Sequence, residues 1–348
     1  MSIKSFQWAV IGAGPAGIAA IGKLLAHGIK AKDIVWLDPE FKVGDFGTKW
    51  QKVFSNTRVE LFSRFFAECE AFEYSSSLKN FAIDNEDPEK TCLLALAAAP
   101  LQWISDKLKS KVESIYGKAQ QLKLHDRHWE ITLADTKLRA KNVVVATGSE
   151  PKSLSFQNIE EISLYTALDP DKLAATCNEN DVVAVFGASH SAIIILKSLL
   201  EKCNVKKVIN FYLSPLRYAV YFDDWTLFDD TGLKGTTADW ARTHINGILP
   251  AKLERVISNE ESIRVALPLC NKVIYATGFQ KRLIPVEGMH TLEYNDKSGI
   301  IAPGLFGLGI AFPEAKTDRY GTVEYRVGLW KFMEYLNHVM PIWLNYGA

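Results

Sequence analysis

Hydrophobic positions in this chain come in short, nearly continuous runs, each followed by a glycine-containing turn and then by a stretch whose apolar residues recur every three to four positions. Phe6 to Ile11 is such a run. The turn Gly12-Ala13-Gly14-Pro15-Ala16-Gly17 follows it, and Ile18 to Leu25 then carries the helical period. A continuous apolar run of this length predicts a strand buried on both faces, as in a parallel sheet. Asp33 to Leu37 predicts the next strand, ending at Asp38. The same succession returns at Val182 to Phe186, Gly187-Ala188-Ser189-His190-Ser191-Ala192, Ile193 to Leu200 and Lys207 to Leu213. Each half closes in matching wording, Val143 to Val145 before Ala146-Thr147-Gly148 and Val273 to Tyr275 before Ala276-Thr277-Gly278. The pattern predicts an α/β chain with two Rossmann-like dinucleotide-binding domains.

Elsewhere the pattern is weaker. Residues 41 to 80 read as an aromatic, loop-rich stretch, and Cys92 to Leu108 as a helix interrupted at Pro100. Val112 to Lys141 alternates and predicts a small antiparallel meander, with Trp129 to Leu133 its clearest strand. Past Pro151 the chain is polar and loop-like as far as Asp181. The segment Tyr218 to Asp230 is aromatic and acidic, Thr237 to Ile245 predicts a helix, and Leu253 to Ile257 and Ser262 to Leu267 predict strands. Gly304 to Gly309 reads as strand and Thr322 to Val339 as helix, the simplest completion of the first sheet. The second domain, residues 151–274, is then inserted into a first domain made of residues 1–150 and 275–348.

In 348 residues, 40 basic side chains balance 40 acidic ones. That balance removes the footprint of a nucleic-acid binder. No apolar run approaches the roughly 20 residues of a spanning helix, and the first strand begins too early for a signal peptide. A cytoplasmic protein with no membrane partner is expected. Five cysteines, Cys69, Cys92, Cys177, Cys203 and Cys270, include no Cys-x-x-Cys, so they read as reduced thiols and not as an electron relay. His125 and His128 flank Asp126 at an expected hairpin tip, and no metal site is expected there.

The turns carry the chemistry. In such a turn the first glycine permits the bend, the second lets a pyrophosphate approach the backbone, and the third lets helix pack on strand. Phosphates then sit on the free N–H groups and positive end of the helix. Gly12, Gly14 and Gly17 fill the three places, with Pro15 and Ala16 opening the helix, and Asp38 is placed for a ribose 2′-hydroxyl. In the second turn Gly187 is followed by Ser189 at the close-approach position, then His190, Ser191 and Ala192. Leu213 stands where Asp38 stands in the first, with Arg217 just beyond. A missing carboxylate and a nearby arginine favour a 2′-phosphate, hence NADPH over NADH. Arg217 as a plain solvated charge is the bland alternative.

These residues resemble the flavin-containing monooxygenases and, more broadly, the two-dinucleotide-domain flavoproteins that include thioredoxin reductase. The resemblance implies FAD on Gly12, Gly14, Gly17 and Asp38 and NADPH on Gly187, Ser189 and Ala192. It extends to Thr147-Gly148, to Thr277-Gly278 before Phe279, and to Gly309, where Ile310 follows in place of the aspartate of disulfide and ferredoxin reductases. Gly47-Thr48-Lys49-Trp50 is similar to the family's Gly-Gly-x-Trp. Ser55-Asn56-Thr57 followed by Phe62 is similar to the stretch whose asparagine lies beside the flavin's reactive edge, which makes Asn56 the candidate catalytic residue. The monooxygenase stretch Phe-x-Gly-x-x-x-His aligns with Phe156 to Ile162, where Asn158 and Ile162 replace the glycine and histidine.

The implied activity is an FAD-dependent, NADPH-using oxidoreductase, a monooxygenase acting on a small molecule. Two alternatives stand beside it: a flavin reductase serving a non-thiol acceptor, which the altered Phe156 stretch favours, and a flavoprotein without turnover, which Ser189 and Leu213 favour. Substrate and oligomeric state are not legible.

Overall fold

The computed structural model describes residues 3–348. Strand β1 (Lys4–Ile11) leads through the first turn into helix α1 (Pro15–Ala26) and strand β2 (Ile34–Asp38). Proline at the first helical position forfeits an N–H that has no partner there in any case. Helices α2 (Val59–Ala67) and α3 (Leu94–Lys109), strand β3 (Glu113–Tyr116), the hairpin β4 (Gln121–His125) and β5 (His128–Thr132), and the long strand β6 (Lys137–Val145) follow. The second sheet contains β7 (Val182–Phe186), helix α4 (His190–Glu201), β8 (Lys207–Tyr212), helix α5 (Gly235–His244), β9 (Leu253–Ile257) and β10 (Lys272–Tyr275). Strands β11 (Ile300–Ala302) and β12 (Leu305–Gly307) and helix α6 (Leu329–Asn345) end the chain.

In the first sheet the parallel order is β3-β2-β1-β6-β12, with β11 antiparallel at the edge and the β4–β5 hairpin on the lower half of β6. The second sheet is parallel throughout, in the order Glu160–Glu161, β10, β7, β8, β9. Strand β12 pairs with β6 although the whole second sheet lies between them in sequence. The two connecting segments, Ser149–Pro151 and Phe279–Lys281, pair antiparallel with each other. Helices α1, α3 and α6 cover one face of the first sheet, burying Trp8, Phe306 and Trp343 in a stack with centroids 5.8 and 4.7 Å apart. In the second sheet Phe186 stacks on Phe211 at 4.5 Å on one face, and α4 and α5 cover the other.

Several local expectations are corrected. Residues 41 to 80 hold a short helix, Gly44–Thr48, as well as α2, whose Val59, Phe62, Phe65 and Phe66 face the core. Helix α3 runs through Pro100, which is buried in its packed face. The polar stretch after Pro151 contains helices Leu164–Ala167 and Pro170–Thr176, N-capped by the Ser163 and Asp169 side chains. Ser262 to Leu267 is not a strand: Asn259 accepts from the Ser262 N–H and opens helix Glu260–Ala266, whose first turn carries Glu260 and Glu261. Nor does a helix begin near Thr322. Val323–Arg326 pairs with Glu314–Thr317 as a hairpin, and α6 starts only at Leu329, after Gly328 at φ 153°. Alternation in that hairpin buries Glu324 and Arg326, which pair with polar groups, so the polar residues are the inward ones. The His125 and His128 hairpin is as expected, with Asp126 and Arg127 at positive φ in its two-residue turn.

Candidate functional site

The two turns are built alike to the level of single hydrogen bonds. Gly12 N–H donates to Leu37 O and Gly187 N–H to Phe211 O, each across to the next strand. Trp36 Nε1 donates to Gly12 O at 2.9 Å, and Asn210 Nδ2 donates to Gly187 O at 2.8 Å, from equivalent registers on β2 and β8. A Cβ on Gly12 would lie 2.3 Å from Ala146 O, and one on Gly187 would lie 2.4 Å from Ala276 O. This close approach explains why each turn is paired with its own Ala-Thr-Gly. Both glycines also have positive φ, 112° and 124°. A Cβ on Gly17 would strike Gly12 O at 1.9 Å, which is the tight helix-on-strand contact expected of the third glycine.

Gly14 differs. Its backbone is extended, and a Cβ there would meet nothing nearer than Val43 O at 4.0 Å. No side chain caps the first turn of α1, so its N–H groups face open space. Helix α4 is likewise uncapped at Ser189, which is exposed. Both helix ends fit a pyrophosphate.

A cleft of about 1080 Å³ opens at the first turn, lined by Gly12, Gly14, Pro15, Ala16, Asp38, Trp50, Asn56, Thr147, Gly148, His190 and Gly309 among the expected residues. Asp38 is buried, and its carboxylate already accepts from Ala13, Glu40 and Phe41 N–H at 2.7 to 2.8 Å. It therefore ties the turn to the loop after β2 and presents its remaining lone pairs to the cleft. Glu40 lies beside it in the lining. Gly309, at φ 82°, sits so close to Ala16 that a Cβ would come within 2.7 Å of the alanine methyl. Gly44 rather than Gly47 faces Gly14: its φ is 58° and its Cβ position lies 3.4 Å from the Gly14 Cα. Gly47 instead packs under Lys42 O. None of the five cysteines lines this cleft.

On one side of the cleft Trp50 packs on Tyr165 of the second unit at 4.9 Å and on Phe279 at 6.2 Å. Arg282 pairs there with Asp45 at 2.5 Å, and its backbone carbonyl accepts from Thr147 Oγ1. Burial alone would lower the Arg282 pKa, but Asp45 and Tyr165 more than compensate, and the guanidinium is held charged. No sequence signal singled out Arg282 or Asp45, because their partnership spans most of the chain.

On the other side lies Asn56. Its Nδ2 donates to Gly232 O and its Oδ1 accepts from Lys234 N–H, each at 2.9 Å, so the amide spans the junction of the two units. His190, expected in the second turn, donates to Phe54 O through Nε2 at 2.8 Å; the carbonyl can only accept, so Nε2 carries the proton. Burial lowers its pKa; the hydrogen bond to Phe54 O works against this, and nearby Lys234 adds to the lowering. Of the second turn only His190 reaches the cleft; Gly187, Ser189, Ser191, Thr277 and Gly278 lie outside its lining. Thr277 Oγ1 is buried without a partner, and Gly278, at φ 98°, faces open space. Leu213 is exposed, and Arg217 lies exposed over the Phe228 ring at 5.3 Å. Phe156 packs on Phe186 and Tyr275 and Ile162 is buried, so that stretch serves the second core.

Behind Asn56 is a buried charge cluster that the sequence did not announce. Lys331, on the first turn of α6, contacts Asp229 at 2.8 Å and Asp230 at 2.6 Å. Lys234 contacts Asp229 at 2.5 Å. Glu324 accepts from Thr231 N–H and Oγ1. Burial pushes the Asp229 carboxyl up, but Lys331 and Lys234 together hold it well below the usual range. For Asp230 burial prevails and raises it.

Comparison with known proteins bears on the fold and the family. Monooxygenase AgnR1 from Paecilomyces divaricatus is 30% identical, over 96% of this chain and 97% of its own. A flavin-containing monooxygenase from Stenotrophomonas maltophilia shares the fold at TM-score 0.65 and 17% identity, covering 99% of both chains. Lactococcus lactis thioredoxin reductase does so at 0.60 and 12%, covering 98% of both. No helix among the described residues is long and apolar enough to cross a membrane. Residues 6–203 match the family model of pyridine nucleotide-disulphide oxidoreductases, and the chain belongs to that family of flavin-dependent oxidoreductases.

Proposed function

We propose that this protein is an NADPH-using FAD monooxygenase of a small molecule, with the second nucleotide unit inserted into the first. The carrying observation is the pair of hydrogen-bond-equivalent turns, the first lining the cleft and the second reaching it through His190, in a chain with a 30% identical relative that is a monooxygenase. FAD, when bound, accepts hydride and passes electrons to dioxygen; the protein contributes binding, orientation and shielding. Gly14 and the free N–H groups of α1 hold its pyrophosphate, and Asp38 and Glu40 meet its ribose. The start of α6, where Val327, Gly328 and Leu329 line the cleft, would support negative charge on the ring of a bound flavin. Trp50, Tyr165 and Phe279 exclude water from one flank, and Asn56 orients the groups at the other. The setting of Phe156 in the second core keeps a reductase reading in second place.

The test is the absorption spectrum of the purified protein before and after NADPH, followed by turnover under isotopically labelled dioxygen. Bound flavin, bleaching by NADPH and labelled product are expected. Bleaching with peroxide as the only product would establish the reductase reading instead, and a protein that takes up no flavin would end both. In the same assay Arg217→Ala is expected to weaken NADPH far more than NADH, by roughly 1.5–3 kcal/mol for a charged hydrogen bond. Equal weakening of both would show that Arg217 rests on Phe228 and reads no phosphate.

A further inference from the structure

We infer that Lys331 is a positioning residue through which docking of the second unit sets the charge at the flavin end of α6, and so couples docking to the redox state of the bound flavin. The inference rests on the FAD reading above. Lys331 lies on the first turn of α6, and its side chain folds back over Gly328: its Cδ is 3.8 Å from where a Gly328 Cβ would be. Gly328 lines the cleft. The ammonium therefore stands next to the positive end of the helix, where anions are favoured.

Its compensating charges come from the other unit. Asp229 and Asp230 belong to the segment between β8 and α5, and Asp230 also accepts from Val327 N–H at 3.2 Å, the residue that opens the lining. With Lys234 the ion-paired set holds two acids and two bases, a balance that exists only while the units are together; Glu324 beside it is held by the Asp230 and Thr231 N–H groups and Thr231 Oγ1, not by either lysine. The Lys331 and Asp230 side chains are 10% and 6% exposed, so water screens the pair little. Separation of the units would leave Lys331 without its carboxylate partners at the end of α6 that lines the cleft, which favours the reduced, more negative ring. By linkage the converse holds: reducing the flavin draws on Lys331 and weakens docking by the same factor. Asn56, Glu324 and the ion pairs make a junction with a definite docked state for that coupling to act on.

A charge cycle on the FAD-loaded protein tests this. Asp230→Asn makes the ion-paired set one charge more positive, Lys331→Gln makes it one charge more negative, and the double variant restores the wild-type balance. Midpoint potentials are read by dye-linked reduction at pH 8. Asp230→Asn is expected to favour reduced flavin about tenfold, about 30 mV for a two-electron couple, and Lys331→Gln to disfavour it similarly. The double variant returns to the wild-type value, which a merely structural role would not produce. Amide exchange across residues 218–234 is expected to quicken on photoreduction of wild type and not of Lys331→Gln. Equal potentials in all four FAD-loaded proteins would overturn the inference alone, as would a double variant displaced like a single one. Failure of wild type to take up FAD would instead overturn the reading beneath it.

Discussion

Gly14→Leu is expected to yield a folded, colourless protein. The glycine's backbone is extended and its Cβ direction is open, with Val43 O the nearest atom at 4.0 Å, so the fold accepts a side chain there. A pyrophosphate does not, because the new side chain fills the approach to the uncapped N–H groups of α1. Losing two charge-assisted hydrogen bonds at about 1.5 kcal/mol each lowers FAD affinity by at least about 100-fold. Gly12→Ala is the contrasting variant. Its methyl would lie 2.3 Å from Ala146 O at a φ of 112°, and the cost, in the range of about 1–3 kcal/mol or more for overpacking, falls on folding itself. Flavin content by absorbance and Tm by calorimetry separate the two. A Gly14→Leu protein that keeps stoichiometric flavin would show that the cleft does not hold the pyrophosphate at that turn.

Asn56→Ala is expected to leave flavin binding and its reduction by NADPH intact while diverting most electrons to hydrogen peroxide. The substitution removes two hydrogen bonds across the junction and leaves the Gly232 carbonyl and the Lys234 N–H without partners. At about 1 kcal/mol each, the docked arrangement weakens by about 30-fold. A cleft that opens admits water to a reduced flavin that the closed junction would shield. Peroxide formed per NADPH consumed measures the effect, and amide exchange over residues 218–234 checks its cause. Unchanged coupling with unchanged exchange would remove Asn56 from the oxygen chemistry and place the reductase reading ahead.

Local sequence was sufficient wherever the determining contacts are themselves local or recur in a fixed order. The buried strands, both glycine turns, the uncapped helices after them and the β4–β5 hairpin all follow from apolar runs and turn residues within a few positions. The doubling of the turns implied two nucleotide sites, and the two turns share their hydrogen-bond pattern, while Leu213 stands exposed at the acid position of the second. Where two local signals compete, the pattern misled: Ser262 to Leu267 suits a strand until the Asn259 cap selects a helix, and the hairpin ending at Arg326 buries its polar side, which inverts the usual alternation. The choice of Gly44 over Gly47 depended on which glycine packs against Gly14, a contact between two loops. Only tertiary structure could decide the junction. The partners of Asn56 lie more than 170 residues away, and Asp45 meets Arg282 across most of the chain. The charge of Lys331 is compensated only because a loop of the other unit docks over α6. Isolated charged residues in a sequence read as solvated surface, and it is burial against a partner from a distant segment that turns them into a site.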